Sequence, residues 1–225
     1  MSQNLSEDLK LKVLVVDDHE TILAGTVEVI KKQYPNAEII TAQTAQDVLN
    51  LINNFQPNLL VLDLAIPEYP GVNPVIETGL QILRTVMQKD YYPELHIVVL
   101  TSHRKSLVQV RDEIEKYEKG GFTVADKTSL ADFLKKVDWA LQGISHTKDV
   151  GISKLELKPE WFQVLQLAFI EDLKDTEIAK RQYISLRSIK NYWNKIRDVL
   201  GVYPEDDKDI KIQTYKKAKE EGFIE

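Results

Sequence analysis

No cysteine occurs among the 225 residues, which excludes disulfides and thiolate metal sites alike. No apolar run approaches the roughly 20 residues that cross a bilayer, so no membrane segment and no membrane partner are expected. The opening MSQNLSEDLK lacks the basic-then-apolar order of a secretory signal. Together these absences point to a reducing cytoplasm. The four histidines, His19, His96, His103 and His146, fall on different elements without ligand spacing, which argues against a histidine metal site. Internal repeats and low-complexity tracts are missing too.

What is present is an ordinary balance of 43% hydrophobic and 28% charged residues, in a length that suits two domains of modest size. The net charge of −6 is uneven. Residues 151–225 carry 14 Lys/Arg against 14 Asp/Glu, leaving 15 against 21 for residues 1–150. Within the neutral part, KRQYISLRSIKNYWNKIR (Lys180 to Arg197) holds six basic residues and no acid. An acidic domain is therefore joined to one with a basic face.

Five β-branched runs, LKVLVV (11–16), AEIITA (37–42), NLLVL (58–62), HIVVL (96–100) and GFTVA (121–125), alternate with segments of helical periodicity. That alternation predicts a doubly wound α/β fold with a five-stranded parallel sheet covered on both faces. Periodicity lapses after Leu141, where Gly, Ser and Asp gather as in a linker. From Lys158 onward only helical patterns remain, at about 158–170, 175–182, 185–200 and 209–221. The expected division is a first domain at 10–143, a linker at 144–156 and a small all-α domain at 157–225.

In an open parallel sheet, reactive groups collect at the carboxyl ends of the strands. Strand one ends in Asp17 and Asp18, strand three in Asp63, strand four in Thr101, and strand five runs into Lys127. Three carboxylates crowded together repel one another unless a cation intervenes, and hard oxygen ligands suit Mg²⁺. Taken singly, each residue has a plainer reading. Asp63 could be a turn former, Asp18 a helix cap and Lys127 a solvated surface residue.

As a set, these five match in order the active-site positions of the response-regulator receiver family, which residues 11–143 resemble. The resemblance implies a flavodoxin-like receiver fold and a phosphoacceptor, Asp63, that takes a phosphoryl group from a sensor histidine kinase. It implies Mg²⁺ held by Asp18, Asp63 and the Ala65 carbonyl, with Asp17 helping through water. Lys127 would pair with the phosphoryl oxygens and the Thr101 hydroxyl would report their arrival. Two features depart from the pattern. Val124 holds the place where the family has an aromatic three residues before the lysine, and Phe122 lies five before it, which leaves open which residue could switch. The loop after Pro67 carries an insert of some eight residues within 68–78, readable as a tolerated surface loop or as a determinant of partner choice.

The C-terminal segment, about 157–224, resembles the LuxR/NarL-type helix-turn-helix, through LKPEWFQVLQLAF, DTEIAKRQYISLRSIKNYWNKIRDVLGV and the final KIQTYKKAKEEGFIE. Asp175 and Ser185 are placed to cap the two helices of the pair, and Gln182, Tyr183 and Ile184 supply the turn. Ile189, Trp193, Ile196 and Leu200 form one apolar stripe, leaving Lys190, Asn191, Asn194 and Arg197 on another face. With Arg187 and Ser188 these are the candidate DNA-binding residues, because lysine suits phosphate or guanine and asparagine suits adenine edges. A solvated basic face or a protein-docking helix would show the same pattern. Asp172 and Tyr192 stand where the family often has glycine and histidine.

The reading is thus a response regulator of the two-component type that binds promoter DNA, pairs as a homodimer when active, and is not an enzyme. The insert and C-terminal details resemble cyanobacterial members. One rival is a pseudo-receiver that docks proteins, or binds DNA constitutively, without phosphorylation. The other, an aspartate-based phosphatase of the haloacid dehalogenase type, wants an acid two residues after the nucleophile, where Ala65 stands.

Overall fold

The computed structural model describes residues 10–88, 94–147, 157–205 and 207–224. It divides into two compact units, Met1–Gln142 and Gly143–Glu225. Residues 148–156, most of the expected linker, lie outside the described residues.

The first unit is built on five strands: β1 (Lys12–Val16), β2 (Glu38–Ala42), β3 (Leu59–Leu62), β4 (His96–Leu100) and β5 (Phe122–Ala125). They pair in parallel in the order β2-β1-β3-β4-β5. The helices α1 (Glu20–Gln33), α2 (Ala45–Phe55), α3 (Ile76–Gln88), α4 (Arg111–Lys116, after a 3₁₀ turn at Arg104–Val110) and α5 (Leu130–Leu141) connect and cover them. Val13, Leu14, every residue of β3 and Ile97, Val98 and Val99 of β4 are almost completely buried, as strands covered on both faces must be. The order reverses at β1, between β2 and β3, so the carboxyl ends of β1 and β3 border the crevice that such sheets use for ligands.

The segment between β3 and α3 is tied at both ends. Pro67 and Glu68 accept hydrogen bonds from the Ala45 and Gln46 amides at the start of α2 (3.0 and 3.1 Å), and Ile66 bridges Val75 in antiparallel fashion. The insert is therefore a fastened excursion. Helix α3 begins at Ile76, three residues before the Gly79-Leu80 start expected from the sequence. Gly79 fixes that approach, because a Cβ there would lie 2.4 Å from the Leu64 carbonyl oxygen. Phe122 is fully buried.

The second unit contains α6 (Pro159–Phe169), α7 (Asp175–Arg181), α8 (Leu186–Leu200) and α9 (Ile210–Glu220). Trp161, Val164, Leu165, Ile178, Ile189, Trp193, Ile196 and Leu200 form its core, the last four being the stripe read from the sequence. Ser185 caps α8, its Oγ accepting from the Ser188 amide at 3.0 Å. Asp175 does not cap α7. It is the first helical residue, and its carboxylate accepts instead from the Trp193 indole at 2.9 Å, while Glu177 reaches back to the Lys174 amide at 3.0 Å.

The first residues of the expected linker are folded onto α8. Asp198, 1% exposed, accepts from the Thr147 amide (2.9 Å), the Thr147 hydroxyl (2.6 Å) and the Tyr203 phenol (2.7 Å). The His146 ring lies 4.2 Å from that of Tyr203, centroid to centroid. A free-running linker would leave Ser145, His146 and Thr147 in solvent, whereas all three are buried.

Candidate functional site

Three of the expected residues meet at the crevice. The Lys127 ammonium lies 2.5 Å from Asp17 Oδ2 and 2.8 Å from Asp63 Oδ2, so one cation bridges the ends of β1 and β3. Asp17 and Asp63 are almost fully buried there. Burial pulls the Lys127 pKa down, but hydrogen bonds and charge from both aspartates outweigh it, and the net shift is upward. Lys127 is thus positively charged at neutral pH. The other oxygen of Asp63 accepts from the Leu64 amide at 2.7 Å, which fixes the carboxylate plane.

A small cavity of about 160 Å³ opens on this cluster, lined by Asp18, Asp63, Ala65, Ser102, His103 and Lys127 with His19 and Pro74. Ala65 is among the lining residues. Thr101 is fully buried after β4, and its hydroxyl oxygen accepts from the His103 amide at 3.1 Å. That leaves its own O–H proton available to donate.

Two neighbours were missed by sequence reasoning. His19 does sit with the acids: its Nδ1 lies 2.6 Å from Asp18 Oδ1 and 3.4 Å from Asp17 Oδ1, and those three side chains can bring ligand atoms within 4.8 Å of one another. Its adjacency to the acid pair in VVDDHE was the available signal. Pro74 brings the insert to the cavity wall, and no local signal in the sequence announces that. The donor set suits a hard divalent cation. Asp18 and Asp63 line the cavity, Asp17 lies beside Asp18 and His19, and Asp18 Oδ1 is buried without an aligned hydrogen-bond donor despite its nearness to His19.

A model of the response regulator receiver domain matches residues 13–135. This chain belongs to that family. YdfI of Bacillus subtilis, named a transcriptional regulatory protein, is 25% identical over 79% of this chain and 74% of its own length. The response regulator protein VraR of Staphylococcus epidermidis is 22% identical over 86% and 92% respectively. DevR/DosR of Mycobacterium tuberculosis, named a DNA-binding transcriptional activator, is 22% identical over 85% and 89%. Among solved structures, RcsB of Salmonella enterica serovar Typhimurium bound to promoter P1flhDC matches with a TM-score of 0.48 and 22% identity, covering 92% of this chain and 98% of that one.

In the second unit of this receiver-family chain, the expected DNA-binding residues part company. Arg187 and Lys190 are exposed, and Ser188 and Asn191 half-exposed, on the first two turns of α8. Asn194 and Arg197 are half-buried and make contacts within their own unit. Asn194 donates to the Gly143 carbonyl at 2.6 Å. Arg197 lies over the Trp193 ring at 5.6 Å, its Nε 3.4 Å from the Thr214 hydroxyl, and burial lowers its pKa. Among the described residues no helix is long and apolar enough to cross a membrane.

Proposed function

We propose that the protein is a DNA-binding response regulator of the LuxR type, in which Asp63 accepts a phosphoryl group from a sensor histidine kinase and the C-terminal unit regulates transcription. Residues 10–143 are assigned as the receiver and 157–225 as the helix-turn-helix domain. The observation that carries the reading is the Lys127 bridge between Asp17 and Asp63 at the mouth of the cavity.

Asp63 Oδ2 attacks the phosphorus of a phosphohistidine, the P–N bond breaks, and its electron pair leaves with the imidazole. Lys127 transfers its attention from the aspartate to the arriving phosphoryl oxygens, offsetting charge that builds on them. The buried Thr101 hydroxyl, accepting from the His103 amide, can donate to one of those oxygens. Asp18, Asp63 and the Ala65 carbonyl would hold Mg²⁺, with Asp17 acting through water. The ion supplies charge neutralisation on the transferring group.

On the DNA side, α8 offers Arg187, Ser188, Lys190 and Asn191 from its N-terminal half, with no acid in its first turn. Because such helices read one half-site each, the active form is a homodimer on promoter DNA. Ile212 of α9, 56% exposed, supports that helix as the pairing face. A cytoplasmic location follows from this partnership, and kinship with cyanobacterial members rests on the insert and C-terminal details alone.

The test is intact mass after incubation with a small phosphodonor and Mg²⁺, with DNA binding followed on the same samples. The wild type should gain one phosphoryl group and Asp63→Asn none. Equal labelling of the two would overturn the assignment, and labelling that leaves DNA binding unchanged would favour a phosphorylation-independent module.

A further inference from the structure

Three helices of the C-terminal unit stop in the same way. At the end of α8 the Val202 amide donates to the Arg197 carbonyl (2.8 Å) and the Gly201 amide to that of Asp198 (3.1 Å). At the end of α9 the Phe223 and Gly222 amides donate to Ala218 and Lys219 (2.9 and 3.1 Å). At the end of α7 the Ile184 and Tyr183 amides donate to Ala179 and Lys180 (3.0 and 3.3 Å). This double closure requires a left-handed residue, for which glycine is the usual choice because a Cβ crowds the following carbonyl. Gly201 (φ 68°) and Gly222 (φ 74°) obey that rule, but the third position is Tyr183 (φ 55°).

A bulky residue in this conformation is an outlier that calls for a reason. Packing does not provide one, since Tyr183 is 95% exposed. Its position does. It stands two residues before the α8 cap, Ser185, at the entrance to the helix face that carries exposed Leu186, Arg187 and Lys190. When the N-terminal half of such a helix lies in the major groove, the turn before it borders the sugar–phosphate wall. A phenol there is a neutral donor within reach of phosphate oxygens.

We infer that Tyr183 is a DNA-backbone contact of this protein, its hydroxyl donating to a phosphate oxygen at the groove edge, and that its left-handed backbone is retained for that contact. The inference rests on the DNA-binding reading given above. It makes Tyr183 a residue that raises affinity on every sequence without neutralising a phosphate charge, unlike Lys190.

The experiment uses the full chain treated with a small phosphodonor and Mg²⁺. Binding is followed by fluorescence anisotropy on a duplex that the wild type has enriched from a random-sequence pool, and on a scrambled duplex, across a salt series. Tyr183→Phe should weaken binding roughly three- to tenfold on both duplexes, with the salt slope unchanged because no charge is removed. Tyr183→Gly should weaken it at least as much while the thermal midpoint rises by roughly 2–4 °C. Lys190→Ala, the control, should weaken binding and reduce the salt slope by about 0.9.

If Lys190→Ala weakens binding and both Tyr183 variants bind as the wild type does, the inference is overturned and the DNA-binding reading stands. If all three bind as the wild type does, α8 is not in the groove and both fall. A loss confined to the enriched duplex would mean a base contact and overturn the phosphate assignment. A midpoint lowered by Tyr183→Gly would remove the strain on which the inference is built.

Discussion

The pocket at the sheet edge and the outer face of α8 are both sets of polar residues, yet the fold treats them in opposite ways. At the sheet edge, Asp17, Asp63, Thr101 and Lys127 come from the ends of four different strands, are wholly or largely buried, and are held by one another or by nearby backbone, with Asp63 and Lys127 lining the cavity itself. On α8 the residues are close in sequence, and Arg187 and Lys190 are exposed whereas Asn194 and Arg197 are half-buried. The lesson concerns what fixes a residue's role. At a sheet edge, topology does so, because each strand must deliver its last residue to the same rim. On a helix, periodicity fixes only direction, and what already occupies that direction depends on segments distant in sequence. Asn194 and Arg197 show this, one holding Gly143 and the other covering Trp193.

The contrast is broken most forcefully by Gly79→Val. Its Cβ would overlap the backbone of Leu64, so α3 must shift from the rim that carries Asp63. A loss of about 4 kcal/mol is expected, at the upper end for overpacking because backbone cannot step aside. Chemical denaturation should show it, with phosphoryl labelling lost in parallel. On the other side of the comparison, Asp198→Ala should lower the stability of the C-terminal unit by about 3 kcal/mol, because it strands the Thr147 and Tyr203 donors in a buried setting. Labelling of Asp63 by a small phosphodonor should be unaffected, and a parallel loss of labelling would contradict this account.

A finer division lies within α8 itself. Arg197→Ala should cost about 1 kcal/mol of stability through lost contact with Trp193 while leaving the salt dependence of DNA binding unchanged. Lys190→Ala should do the reverse, reducing the salt slope by about 0.9 with little effect on unfolding. Equal salt slopes for the two variants would erase the distinction between inward and outward residues. The smallest effect is expected at the insert. Replacing the exposed Tyr69 and Val72 together by serine should shift stability by less than about 0.5 kcal/mol. If the insert selects a partner, phosphotransfer from a kinase changes while labelling by a small donor does not; equal rates in both assays would leave a plain surface loop.

The sequence by itself determined the five strands, the parallel sheet, the helical C-terminal region and the company that Asp63 keeps. Those features rest on local signals: β-branched runs bounded by turns, 3.6-residue periodicity, and the rule that strand ends share one edge. It also placed the α8 cap at Ser185 and the stripe from Ile189 to Leu200, both of which need only neighbours within a few residues. Only the tertiary structure decided that Pro74 of the insert reaches the cavity, that His19 joins the acids, that Phe122 is sealed in the core, and that Thr147 docks on Asp198. Except for His19, these are juxtapositions of segments that carry no mark of one another. The reason is that a periodic pattern records which side of an element is buried, whereas the identity of the group buried against it is set by the packing of the whole unit.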